Sequence, residues 1–532
     1  MESLHKHWPT SQGQSPTGLF PASFRKADND AEFATDQELY LILRGSFVMT
    51  RLSCRGEPVY WYYGKANDLL TTGAMGGWAE IPDTNHDLEI SQPMETIEMS
   101  VESQGKIAPR PLLLGRQHEA NLQRELLPGS GDDGQEPLQS GTLEAVVALG
   151  GESHLLTIAP IAAARVRSCV IPNLLTFSGS AVVVDLTGEA YAVTSRARRE
   201  MGQAIVRLDP FRVIDEDSDA LDPFDLLQGL EGPALESACQ DVAGLLPGFH
   251  TFNDVWDNAA FGLLAGVIGY LSAVPEKNRF AELYSTFHND DVVYSLAVVL
   301  DMIGKRIPKM AYTEISAFLQ KSDAERSRII TSVTSQLKAL GSQEAQKVLS
   351  TSTVPLTDVV EGKPVSIYLM LPPAKVVSHY SLLRVWIGTV LQCVMDRRSR
   401  VVEPTLFVLD ECARLGSFPQ LETAITSGGK SGFRIWTLWQ DLHQLQVTYP
   451  SSWLLNNCGA VQIFGSRDYS AAAELAAFLG VEASDVRSLA ADEQLVCREG
   501  VSQKIKQFDY VADPLFAGRF DRSPLNSRTT TT

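Results

Sequence analysis

TLFVLDECARLG, residues 405–416, is an apolar run that stops abruptly in two adjacent carboxylates, Asp410 and Glu411. An unbroken apolar stretch suits a strand buried on both faces, and such strands belong to parallel sheets covered by helices. Similar runs lie on either side: VSIYLMLPP (365–373), FRIWTLWQD (433–441) and AVQIFGSRD (460–468). Further back, ESHLLTIAP (152–160), SAVVVDLTGE (180–189) and AIVRLDPF (204–211) alternate with helical text. Strands alternating with helices predict an α/β fold with a mostly parallel sheet. From 222 to 346 the periodicity is helical, with no convincing strand. The α/β domain is therefore expected in two pieces, 143–221 and 347–525, split by an all-α insertion over 222–346.

The chain has 532 residues, which suggests roughly three units at about 150 residues each. A hydrophobic fraction of 44% allows sizeable cores. The net charge of -19 argues against a surface coated in cations for wrapping nucleic acid, though not against a locally basic channel in an oligomer. The seven cysteines form no CxxC pair and read as reduced thiols of a cytoplasmic protein, without a zinc site. The most apolar run, AAFGLLAGVIGYLSAV (259–274), is shorter than a spanning helix and reads as a buried core helix. No signal peptide or membrane segment is expected, so any place at the inner membrane face would come through partners.

Residues 1–35 read as a flexible lead-in, 106–142 as a linker and 526–532 as a disordered tail. Between them, 36–105 reads as a small all-β domain. ELYLILRGSFVMTRLSCRGEPVYWYYGKANDLL (38–70) resembles the opening strands of a cyclic-nucleotide-binding β-roll. That family grips the cyclic phosphate with a Gly-Glu segment and an Arg; the matching stretch TTGAMGGWAEIPDTNHDLE (71–89) contains no Arg to neutralise it. A structural or oligomerising β-roll is the expectation, and ligand sensing the alternative.

In P-loop ATPases an Asp at such a strand tip holds magnesium and the following Glu polarises the attacking water. Asp410 and Glu411 fit those roles; the plain alternative is a strand ending in solvated acids. Gln440 ends the next apolar strand, where it can sense a γ-phosphate, orient water or merely cap the strand. The stretches IPNLLTF, VVVDLTGE, LDPF, FNDVWDNAAFGLLAGVIGY, SDAERSRIITSVTSQL, VSIYLMLPP, LFVLDECARLG, WQDLHQLQVTYP and DPLFAGRFD then follow in an order that resembles the TraG-like coupling proteins of type IV secretion. The resemblance implies a RecA-like P-loop domain, a substrate-facing helical insertion and a hexameric ring, homo- or hetero-oligomeric. It also implies ATP and magnesium as cofactors. Type IV secretion components, and DNA or a relaxase-like protein cargo, are the implied partners.

One place departs from the family pattern. Its GxxxxGK[ST] loop aligns with APIAAARV (159–166). Ala159 and Ala164 stand where glycines belong, Arg165 replaces Lys, and Val166 replaces a hydroxyl residue; Ser168 lies close enough to substitute. Pro160 and Arg167 complete the candidate nucleotide-binding stretch. A β-carbon at Ala164 crowds the approach of backbone N–H groups to phosphate, and Arg165 swaps a slim ammonium for a planar fork. Three outcomes are open: slow turnover, binding without hydrolysis, or no binding. The competing functions are an ATP-driven or ATP-gated coupling protein that recruits or moves a DNA–protein substrate, and a catalytically inert scaffold, adaptor or regulatory subunit in a ring with active homologues. Asp185, ending VVVD, either neighbours the nucleotide or caps the helix that follows. Lys430 and Arg434, in SGGKSGFR (427–434), are candidates for a cation acting in trans; the alternative is a solvated loop Lys and a strand-start Arg. His154 reads as a strand-end packing residue.

Overall fold

The computed structural model describes residues 37–43, 46–52, 58–65, 96–97, 111–117, 146–160, 165–214, 217–246, 255–274, 279–353, 356–397, 401, 403–427, 432–450 and 453–524. The expectations for 1–35, 71–89 and 526–532, and for Ala164 and Lys430, fall outside them.

The chain divides into two units, 1–93 and 94–532. In the first, β1 (Gln37–Leu43), β2 (Ser46–Leu52) and β3 (Pro58–Lys65) form an antiparallel sheet in that order.

The second unit is built on a twelve-stranded sheet. Its strands are β4 (Thr96–Ile97), β5 (Leu112–Gln117), β6 (Val146–Leu149), β7 (His154–Ile158), β8 (Ala181–Asp185), β9 (Ala204–Leu208), β10 (Val365–Met370), β11 (Thr405–Leu409), β12 (Phe433–Trp439), β13 (Cys458–Ile463), β14 (Glu493–Arg498) and β15 (Val501–Lys506). Along the order β13-β7-β12-β11-β8-β10-β9 every pairing is parallel. Beyond β13, strands β14, β15, β5, β6 and β4 add antiparallel neighbours. The mixed α/β architecture with a mostly parallel sheet follows from the apolar runs. In β8, Ala181 and Val183 enter one core while Val182 and Val184 enter the other, so both faces are covered and the strand is apolar up to Asp185 at its tip.

Two strands depart from the expected boundaries. Leu112–Gln117 lies in the stretch read as a linker, yet it is a buried strand between β15 and β6. Its LLLGRQ is too short to stand out from the polar text around it. The strand is anchored from a distance: Asn173 of the IPNLL segment accepts from Leu113 N–H at 2.7 Å and donates to Leu113 O at 2.8 Å. Gly115 is needed there, because a Cβ would sit 2.3 Å from Lys506 O. Thr96–Ile97, placed in the β-roll by its sequence position, pairs with β6 in the large sheet.

After β9 the chain leaves the sheet for eight α-helices among the described residues, including Gly232–Gly244, Val255–Ser272, Lys309–Leu319 and Asp323–Leu337, before β10 returns beside β8. Val255–Ser272 is the centre of this group, with Leu263, Leu264, Val267, Ile268 and Leu271 buried. Among the described residues no helix is long and apolar enough to cross a membrane. Exit and return are stitched together: Leu221 N–H donates to Val348 O, and Thr353 N–H to Ala220 O, both at 2.9 Å.

Asp222, next in line, is 4% exposed and accepts from Phe224 N–H at 2.9 Å. Burial pushes its carboxyl up to about 7, against the pull of that hydrogen bond. A carboxyl with a raised native pKa binds its proton more tightly when folded. Its stabilisation is complete below the unfolded value of about 4 and is lost as pH rises through about 7. Asp222→Asn keeps the acceptor for Phe224 without the charge. Urea denaturation should show the variant gaining about 1–3 kcal/mol at pH 8 and a flatter pH profile; parallel profiles would refute this origin.

Candidate functional site

β11 ends at Leu409, and Asp410 and Glu411 emerge at the carboxyl edge of the sheet, between β8 and β12. Glu411 takes a left-handed backbone, φ 53° and ψ 42°, a conformation that costs a residue with a Cβ about 1–2 kcal/mol. The cost is met by contacts that over-determine its side chain. Gln440 Nε2, at the tip of the adjacent β12, donates to both Glu411 oxygens at 2.6 Å. Gln440 is itself held by Gln444, whose Nε2 donates to Gln440 Oε1 at 3.2 Å. Gln444 opens the helix Leu442–Thr448, where Asp441 caps its N–H at 2.7 Å. Gln444 was missed in the sequence; two glutamines four apart, bracketing an Asp N-cap, are the signal that could have found it.

Across from the acids, β7 ends at Ile158, and Ala159 N–H donates to Trp439 O at 2.8 Å. Ala159 is fully buried and Pro160 partly so. The chain re-enters at Arg165, which leads into a wide π-helical turn, Val166–Val170, and then Ile171–Leu174. Arg165 is 7% exposed and reaches back to the acids. Its Nε donates to Asp410 Oδ1 at 2.8 Å and Nη2 to Glu411 Oε1 at 2.5 Å. Nη1 reaches Ala159 O at 3.4 Å.

Burial works against the Arg165 charge, but the attraction and hydrogen bonds of Asp410, then of Glu411, outweigh it and raise its pKa above the ordinary value. Burial pushes the Asp410 carboxyl up, against the opposing pull of Arg165. The adjacent guanidinium, fixed at hydrogen-bond distance, makes an ion pair the form in which this cluster packs.

The other candidates take separate places. Asp185 is 4% exposed and accepts from Tyr191 N–H at 2.8 Å and Thr187 N–H at 3.3 Å, so it caps the helix Glu189–Glu200 from outside. Burial raises its carboxyl to about 6. Asp185, Asp410 and Val166 share a cavity of about 40 Å³, room for a few waters. Arg167 turns away: Nε and Nη2 fork Asp509 at 3.0 and 2.9 Å. Arg434 is not brought to the site. It pairs with Leu406 at the start of β11, about 13 Å before Asp410 at the usual strand rise. It is 1% exposed and donates to Ser153 O and Leu149 O. Buried within its own sheet, it cannot act on a neighbouring subunit. His154 is pushed down to about 4 by burial and then by Arg434, so it is neutral, and its Nδ1 accepts from Ile435 N–H at 3.0 Å. Arg384, also unforeseen, donates to Leu415 O at 2.6 Å and Ser417 O at 2.7 Å and fixes the turn after the acids.

A magnesium ion needs near-octahedral oxygen ligands and keeps several waters. Here Asp410 Oδ1 accepts from Arg165 and from Glu411 N–H at 3.0 Å, and Glu411 Oε1 from Arg165 and Gln440. In this arrangement the residues do not fit the metal, because the guanidinium already stands against both carboxylates.

The solved structure of the plasmid coupling protein TrwB in complex with the non-hydrolysable ATP analogue ADPNP superposes with a TM-score of 0.57 at 16% identity, covering 76% of this chain and 96% of that one. At that identity it shows the fold. The conjugal transfer protein TraG of Rhizobium radiobacter is 24% identical over 56% of this chain and 47% of its own length. The type IV secretion system-coupling protein VirD4 of Bartonella henselae is 24% identical over 70% and 59%. The chain thus spans about half the length of the TraG relatives it matches. The model of the family described as type IV secretory system conjugative DNA transfer matches residues 116–515, which takes in the sheet, the helical insertion and the acid pair, and the chain belongs to that family.

Proposed function

We propose that this chain serves a type IV secretion or conjugative DNA transfer machine as a coupling-protein-like component that recruits a DNA–protein substrate without turning ATP over. The observation that carries this reading is Arg165 bridging Asp410 and Glu411. On a fold whose family acts in DNA transfer, the pair that would hold magnesium and orient water is instead satisfied by a side chain of the loop. The loss of both loop glycines, at Ala159 and Ala164, points the same way. The chain then works as a scaffold in an oligomeric ring, alone or beside active homologues, held to the membrane face by partners.

ATP turnover and nucleotide binding by the purified protein test this. The wild type should show no turnover above background. The triple change Ala159→Gly, Ala164→Gly and Arg165→Lys should restore nucleotide binding, since it returns the backbone freedom and the slim ammonium. Wild-type turnover that disappears in Glu411→Gln would overturn the reading.

A further inference from the structure

An acid pair at a strand tip in this fold normally meets a diffusible cation; in this chain the opposing charge is covalently attached. The Arg165 fork is planar and matches two carboxylates at once. Its three nitrogens are spread over Asp410, Glu411 and the carbonyl of Ala159, so the fork ties the end of β7 to the tip of β11. Gln440 and Gln444 hold Glu411 from the other side. Every group in the cluster therefore has its partner within the chain.

We propose that Arg165 is a tethered substitute for the divalent cation: it completes the site without metal, and shortening it opens a binding site for a hard divalent ion on Asp410 and Glu411. This rests on the closed-site reading above and extends it from a lost activity to a replaced ligand. The physical reason is charge. With the guanidinium gone, two nearly buried carboxylates stand side by side, and a hard cation is the ligand that oxygen pairs of this kind select.

The test uses manganese as the probe, read by electron paramagnetic resonance and calorimetry on full-length protein without nucleotide. The wild type should bind no manganese at this site. Arg165→Ala should bind it more tightly by about tenfold or more, the scale on which changes around metal ligands move affinity, and adding Asp410→Asn should abolish the gain. Manganese should raise the melting temperature of Arg165→Ala and leave the wild type's unchanged. Arg165→Gln, which keeps a hydrogen-bond donor and much of the volume, carries the same expectation if the Ala variant does not fold. Wild-type binding that Asp410→Asn removes would overturn the tether, as would folded Arg165 variants that bind nothing. Because no nucleotide is used, manganese bound at Asp410 by the wild type, without ATP turnover, would sink this inference alone. Turnover abolished by Glu411→Gln would sink the closed-site function whatever the metal data show.

Discussion

Arg165→Ala is expected to lose about 3–5 kcal/mol of stability at neutral pH, the usual penalty for leaving a buried charge without its partner. The side chains of Arg165, Asp410 and Glu411 are only 9%, 11% and 12% exposed, so water cannot take over the role of the guanidinium. Two adjacent carboxylates would then repel each other in a poorly solvated site, and burial already pushes Asp410 up. Removing the cation raises the proton affinity of the pair further, so protonation should relieve the defect: the loss measured by urea denaturation should be larger at pH 8 than at pH 5. The contrast is Arg196, paired with Glu200 one helical turn away. Those side chains are 40% and 60% exposed, and such a pair contributes about 0.3–0.5 kcal/mol. A loss below about 1 kcal/mol in Arg165→Ala would mean that the side chain does not occupy the acid pair in solution.

The second large effect is expected at Arg198, on the helix Glu189–Glu200, which is fully buried with no carboxylate beside it. Its Nε donates to Ser366 Oγ at 2.8 Å, and Nη2 to Gly179 O and Gln203 Oε1 at 2.6 and 2.7 Å. Nη1 reaches Leu174 O and Phe177 O. Burial lowers its pKa to about 10, which still leaves it charged at neutrality. One guanidinium thus fastens the connection from the IPNLL helix into β8, the strand that ends in Asp185. Arg198→Met should cost about 3 kcal/mol or more. The change relieves the burial of a charge but orphans carbonyls, and each unsatisfied buried group costs about 1–3 kcal/mol. Gly179 O and Gln203 keep partners in each other and Ser366, so the penalty falls mainly on Leu174 and Phe177. The denaturation midpoint should fall with the slope unchanged. A neutral or stabilising result would show that the cost of burying the charge outweighs the hydrogen bonds.

The apolar runs ending at Asp185, Asp410 and Gln440 determined a parallel sheet by themselves, because a strand covered on both faces is mostly apolar until it leaves the core. The break in that text after Asp222 determined that helices interrupt the sheet. Composition hid β5, since a short apolar run within polar text carries no period. It also left Arg434 with two readings, because a strand-start cation looks the same whether it faces a neighbour or its own sheet. Only the tertiary structure decided the partner of Arg165. Its carboxylates lie 245 and 246 residues along the chain, and they come to hydrogen-bond distance because β12 lies between β7 and β11 and all three run parallel. Local periodicity sets which residues form a strand. Which side chains share its tip depends on strand order, and that is settled by the packing of the whole sheet.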